Sequence, residues 1–230
     1  MLTPSAPGRR SEAGRAADNH EMSQVAPSTR ERNCMASCRV ELHCTECGGW
    51  LEESSGSLAC ASCHLSFEVL DGIPCFAQNR DYYYGEVNQE QTRKLFSWSR
   101  EMPWSEALNR LLPEVPYPAE LLSYVVSDQR AGWWPLLSLR PAWRVLDLGC
   151  GWGAISFALA RRVSRVTACD LAVDRLRFLK VRAQQECRGN IEFVWGGDRP
   201  RLPFGDGVFD LVVLNGAGRG TSSVTALASG

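Results

Sequence analysis

The stretch Val145-Leu-Asp-Leu-Gly-Cys-Gly-Trp-Gly153, followed at once by the apolar run Ala154 to Ala160, decides how this chain is read. Arg144 to Leu148 reads as a buried strand, the glycines as a tight turn, and Ala154 onward as a helix whose first turn faces that turn. Gly149, Gly151 and Gly153 let the backbone bend sharply. They also let a ligand approach main-chain N–H groups at a helix N-terminus more closely than any residue with a Cβ would permit. The stretch is a cradle for a small ligand.

Glycine spacing alone does not say which ligand, because Gly149-Cys-Gly-Trp-Gly-Ala154 also satisfies the loose dinucleotide pattern G-x-G-x-x-A. Asp147 discriminates. A carboxylate two residues before the first glycine, at the end of the strand, repels a pyrophosphate and attracts a ligand that carries an ammonium and a sulfonium. S-adenosylmethionine is such a ligand.

These residues resemble the first motif of the class I S-adenosylmethionine-dependent methyltransferases, hydrophobic-Leu-Asp-Leu-Gly-Cys-Gly-x-Gly, and three further matches follow in the family's order. Val166-Thr-Ala-Cys-Asp-Leu171 resembles the second strand, ending in the acid that holds the ribose hydroxyls. Trp195-Gly-Gly-Asp198 resembles the turn that flanks the adenine. Leu202-Pro-Phe204 with Phe209-Asp-Leu-Val-Val-Leu-Asn215 resembles the approach to the fourth strand and the strand itself.

The resemblance implies that Asp147 orients the methionyl end and that the backbone from Gly149 through Cys150 and Gly151 to Gly153 holds it. It implies that Asp170, with Leu171 beside it, accepts from the ribose hydroxyls, and that Asp198, after Gly197, accepts from the adenine amino group. Asn215 closes the set. Where some amino-directed members carry Asn-Pro-Pro-aromatic, Gly216 and Ala217 follow Asn215 here, so that subclass is not supported. The implied chemistry is direct displacement at the sulfonium methyl, which relies on positioning. No catalytic base is identifiable, and Cys150 and Cys169 read as packing residues, not nucleophiles.

Composition bounds the rest. The 230 residues are 44% hydrophobic, enough to bury a core, and the net charge of −1 gives no global drive toward nucleic acid or an anionic membrane. No apolar run approaches the ~18 residues of a membrane span, and the N-terminus lacks the apolar core of a signal peptide, so the chain reads as cytoplasmic with no membrane partner. Six of the ten cysteines lie between Cys34 and Cys63. In a cytosolic chain such crowding reads as metal binding.

Cys44-Thr-Glu-Cys47 and Cys60-Ala-Ser-Cys63, with twelve residues between them, read as two hairpin knuckles supplying four thiolates to one tetrahedral, structural Zn²⁺. Cys34, Cys38, His43, His64 and Cys75 are the nearby substitutes. The few apolar residues of this ribbon, such as Leu51, Leu58, Phe67 and Ile73, could not fold it alone, and metal coordination worth on the order of 10 kcal/mol makes up the deficit. Leu42 to Phe76, especially Phe67-Glu-Val-Leu-Asp-Gly-Ile-Pro74, also resembles the small zinc ribbons that accompany methyltransferases. That resemblance implies an accessory that supports the enzyme or recruits a protein partner.

The expected organisation is a disordered segment 1–39, a zinc ribbon 40–76, a helical connector 77–140, the first half of a Rossmann-like domain 141–216 and a flexible tail 217–230. The connector has helical tendency over Glu86 to Trp98 and Trp104 to Leu112, is broken by Pro103, Pro113, Pro116 and Pro118, and carries aromatics read as packing. Alternation of strands (Trp143–Leu148, Arg165–Asp170, Ile191–Trp195, Phe209–Asn215) with helices (Trp152–Arg162, Val173–Glu186) predicts an α/β, doubly wound parallel sheet. Arg161, Arg162, Arg165, Arg175, Arg177, Lys180, Arg182 and Arg188 make this half locally basic, a solvated helix face by preference and the one feature that favours RNA as acceptor over a small metabolite. The sequence leaves no room for further core strands after Asn215, so a truncated product, variant isoform or gene fragment is expected, with activity not assumed. The rival readings are an inactive methyltransferase-like or zinc-ribbon interaction module and, less favoured, a nicotinamide dehydrogenase.

Overall fold

Short β-strands with tight turns open the computed structural model. It describes residues 40–54, 56–80, 85 and 87–214, all within one of the two units into which the chain divides, 37–230. The segment 1–39, Tyr82 to Tyr84, Glu86, Asn215 and the tail 217–230 therefore lie outside the described residues. Strands β1 (Leu51–Ser54), β2 (Ser57–Cys60), β3 (Ser66–Leu70) and β4 (Ile73–Pro74) form an antiparallel meander. Asp71-Gly72 joins β3 to β4 with both residues at positive φ (50° and 69°). This is the Asp-Gly turn whose twist matches paired strands.

Three helices follow. Helix α1 (Gln89–Ser99) begins with a capping box, in which Asn88 Oδ1 accepts from Gln91 N and Gln91 Oε1 accepts from Asn88 N. Helix α2 spans Trp104–Leu111, and α3 spans Pro118–Val126. Sequence reading took Pro118 as a breaker, but it occupies the first helical position, where its missing N–H has no intrahelical partner to lose. Asp128–Ala131 and Trp134–Leu136 are single 3₁₀ turns.

The second sheet is parallel throughout, in the order β7-β6-β5-β8, from β5 (Arg144–Leu148), β6 (Arg165–Asp170), β7 (Ile191–Trp195) and β8 (Leu211–Leu214). Helices α4 (Ala154–Ala160) and α5 (Val173–Gln185) make the crossovers. The chain steps outward from β5 through β6 to β7 and then returns to the other side of β5. The carboxyl ends of β5 and β8 thus flank the reversal point at which such sheets bind ligands.

Side chains of a strand alternate between faces, and the two faces of this sheet enter different cores. Val145, Val166, Ile191 and Phe193 join Phe157 of α4 and Leu176 and Leu179 of α5 in one. Leu146, Leu148, Cys169 and Val194 join Leu58, Phe67 and Phe76 of the ribbon, with Phe204, in the other. The ribbon therefore covers a sheet face on which a doubly wound fold would place helices. It also occupies the β7 edge, where Phe76 N donates to Trp195 O at 2.7 Å and Cys75 bridges Trp195 in parallel. From α5, Arg177 Nε reaches Asp71 Oδ2 (2.6 Å) and Lys180 Nζ donates to the carbonyls of Asp71 and Gly72 (2.6 and 3.0 Å). Among the described residues no strand pairs with the outer edge of β8, and no helix is long and apolar enough to cross a membrane.

Candidate functional site

The carboxyl ends of β5, β6 and β7 bring the acidic residues and the glycine turn together. Asp147 is 1% exposed. Its Oδ2 accepts from Ser156 Oγ at 2.6 Å, one turn into α4. Burial pushes its carboxyl up to about 6, with the Asp170 charge adding to the rise and the Ser156 bond opposing it. A buried anion in this state gains strongly from a cationic ligand. Gly149, Gly151 and Gly153 all adopt positive φ (75°, 54° and 80°). A Cβ on Gly153 would stand 2.8 Å from Leu179 Cδ2, whereas nothing lies within 4 Å of one on Gly151. Gly153 is needed for packing, and Gly151 leaves open space.

Asp170, at the end of β6, reaches back to this turn. Its Oδ2 accepts from Gly151 N and its Oδ1 from Ala172 N, both at 2.8 Å. Each oxygen keeps one further lone pair for a hydroxyl donor. Cys150 is buried beside it. Burial, then the charges of Asp170 and Asp147, push its thiol well above the ordinary value, so it is no thiolate nucleophile. Cys169 donates to Gly196 O at 3.3 Å and is also raised by burial. Leu171 offers its carbonyl to Trp195 Nε1 (2.9 Å). Gly197 adopts φ 122° in the turn after β7. Asp198 accepts from the backbone N–H groups of Gln78 (2.9 Å) and Asn79 (2.7 Å), in the segment leaving the ribbon.

The four cysteines Cys44, Cys47, Cys60 and Cys63 converge, with all their Sγ atoms within 4.8 Å of one another. Cys44 and Cys63 are 3.6 Å apart and Cys47 and Cys60 3.4 Å. A tetrahedral Zn²⁺ with sulfur bonds of ~2.3 Å would set its ligands about 3.8 Å apart, so the thiols fit the ion. Gly49 N donates to Cys47 Sγ (3.4 Å), support of the kind that holds a ligating thiolate. Of the substitutes, His43 donates to Gly48 O (3.1 Å) and Cys75 to Ile73 O (3.4 Å), both engaged outside the cluster. Cys34 and Cys38 lie outside the described residues.

Sequence reading missed Ser156, Arg199 and the use of Gln78 and Asn79. Ser156 carried a signal, being the one polar residue in the apolar run Ala154 to Ala160. Part of the basic cluster is engaged within the fold. Arg165 pairs with Glu192, Arg177 with Asp71 and Asp174, Arg182 with Glu186, and Arg175 lies buried over the Trp152 ring.

Residues 145–226 match the methyltransferase domain family. Two curated relatives are the demethylmenaquinone methyltransferase of Beutenbergia cavernae, 39% identical over 39% of this chain and 35% of that protein, and the ubiquinone biosynthesis O-methyltransferase of Paracidovorax citrulli, 34% identical over 30% and 29%. The chain thus spans about a third of the length of these relatives. Among solved structures, the YcgJ protein of Bacillus subtilis is 25% identical over 36% of this chain and 35% of that one, with a TM-score of 0.34. The matched stretch contains the glycine turn and strands β6, β7 and β8 of the parallel sheet, so the likeness to the methyltransferase domain falls on the residues that build the candidate site.

Proposed function

We propose that this chain binds S-adenosylmethionine at the carboxyl ends of β5, β6 and β7 and transfers a methyl group to a small-molecule nucleophile. The observation that carries the reading is the buried Asp147 carboxylate beside the Gly149–Gly153 turn, an anion with no cation among its hydrogen-bond partners in the described residues. The open space at Gly151 and the spare lone pairs of Asp170 fit the rest of the ligand.

When bound, S-adenosylmethionine supplies a methyl group already activated by its sulfonium. Asp147 balances the positive charge at the methionyl end, and the turn that holds Gly151 orients it. Asp170 accepts from the ribose hydroxyls while its bond to Gly151 N keeps the turn in register. Asp198 accepts from the adenine amino group. No side chain is assigned as a base, so the residues act by orientation.

The pairing of Arg165, Arg177 and Arg182 with carboxylates favours a small acceptor over RNA. Two of the relatives are named for demethylmenaquinone and for ubiquinone biosynthesis, so a quinone or quinone precursor is the first acceptor to try. Zn²⁺ in the four-thiol site is closed off by protein ligands and serves structure. Calorimetric titration of S-adenosylmethionine into the zinc-loaded chain tests the reading. Micromolar binding lost in Asp170→Ala is expected. A folded, zinc-containing chain that gives no heat would overturn it.

A further inference from the structure

Two successive residues after β7 form a reciprocal clamp on the segment that leaves the ribbon. Asp198 Oδ2 accepts from Gln78 N and Asn79 N, and its Oδ1 takes only the longer contact to Gln78 N (3.1 Å). Arg199 faces the opposite way, donating from Nε to Phe76 O at 2.6 Å and from Nη1 to the carboxylate of Glu46. Glu46 lies in the knuckle between Cys44 and Cys47. Segment 76–79 is thus held from both sides, and the oxygen with spare capacity is Oδ1.

A carboxylate can discriminate between ligands only if its donors fix its rotation. The adenine 6-amino group is a donor, whereas the 6-keto group of the deaminated base is an acceptor that a carboxylate rejects. We propose that Arg199 is a positioning residue for Asp198: by fixing Phe76 and tying it through Glu46 to the metal knuckle, it aims Oδ1 at the 6-position of the base. This rests on the cofactor reading above. It predicts that the ribbon sets base specificity and does more than cover the sheet.

The test compares binding of S-adenosylhomocysteine and S-inosylhomocysteine by calorimetry to the zinc-loaded chain, with Glu46→Gln and Arg199→Met as variants. Glu46 is half exposed, so its isosteric change leaves the core intact, and zinc content and thermal unfolding verify both variants. The wild type should prefer the adenosyl ligand by at least about tenfold, as loss of a hydrogen bond to a charged group implies, and both variants should collapse that ratio to within about threefold of unity. If affinity or stability falls while the ratio holds, Arg199 is merely structural and the proposal is overturned. A wild type that binds both ligands equally overturns the aim of Asp198 and leaves the cofactor reading standing. A wild type that binds neither overturns both.

Discussion

Ser156 Oγ donates to Asp147 Oδ2 at 2.6 Å inside a core from which water is excluded, so one hydroxyl carries much of the burden of keeping a buried carboxylate ionised. On the function proposed above, cofactor binding needs the anion. Affinity for S-adenosylmethionine should therefore hold above about pH 6 and fall below it, since the carboxyl is raised to about 6 by burial first. Ser156→Ala removes the bond that opposes this rise and should move the midpoint to higher pH. Calorimetry between pH 5 and 8 reads it, and an unmoved midpoint in the variant would contradict the assignment.

The same carboxylate is costly to the ligand-free fold. Its native value is above the unfolded one, so between pH 4 and 6 the native state binds more protons, and stability falls as pH rises through that window. Above it the penalty is complete, up to about 3 kcal/mol for this shift. Asp147→Asn should raise the thermal midpoint at pH 8, much less so at pH 4, while abolishing cofactor binding. Equal or lower stability at pH 8 would count against the buried charge.

Gly151 and Gly153 separate two kinds of glycine requirement. Gly153→Ala drives a methyl group into Leu179 as well as into a left-handed conformation, and should cost several kcal/mol. Gly151→Ala carries only the conformational term of about 1–2 kcal/mol, yet it fills the open side of the cradle. Urea unfolding with parallel binding should show Gly151→Ala folded but weak in cofactor binding. Full affinity in that variant would move the ligand elsewhere.

Phe76 is 1% exposed, packs its ring on Phe67 (4.8 Å between centroids) and sits against Gly196. Because it belongs to the core shared by ribbon and sheet, Phe76→Ala should cost about 3–5 kcal/mol. Removing zinc with a chelator should lower one cooperative unfolding transition of the described region. Two separated transitions, with the sheet unaffected, would show that the ribbon is energetically independent.

The β-strands and the glycine turn were legible in the sequence because continuous aliphatic runs such as Val145 to Leu148 belong to strands buried on both faces. Arg165–Asp170 and Ile191–Trp195 have the expected bounds, whereas α4 runs over Ala154–Ala160, shorter at both ends than expected. The four cysteines were legible from spacing alone. What covers the second sheet face was not, since Leu58 and Phe67 read equally well as the ribbon's own small core. The partners of Asp198 and Arg199 were hidden for a related reason: Gln78 and Asn79 contribute main-chain N–H groups, which carry no side-chain signature. Pro118 was misread because the same missing N–H that breaks a helix interior suits a helix start.

The cover that the ribbon gives to Leu146, Leu148 and Val194 also orders events in synthesis. The ribbon is synthesised before the strands it shields, and Trp195 follows Cys75 by more than a hundred residues, so metal bound to the four thiols would hold the ribbon's knuckles together until those strands arrive. A cell short of zinc would instead deliver those strands to an unfolded cover, with their apolar face open to other chains. Metal supply, and not cofactor supply, should then govern how much of the nascent protein escapes aggregation. Pulse-labelled recovery from metal-depleted cells, with and without restored zinc, would show the dependence or its absence.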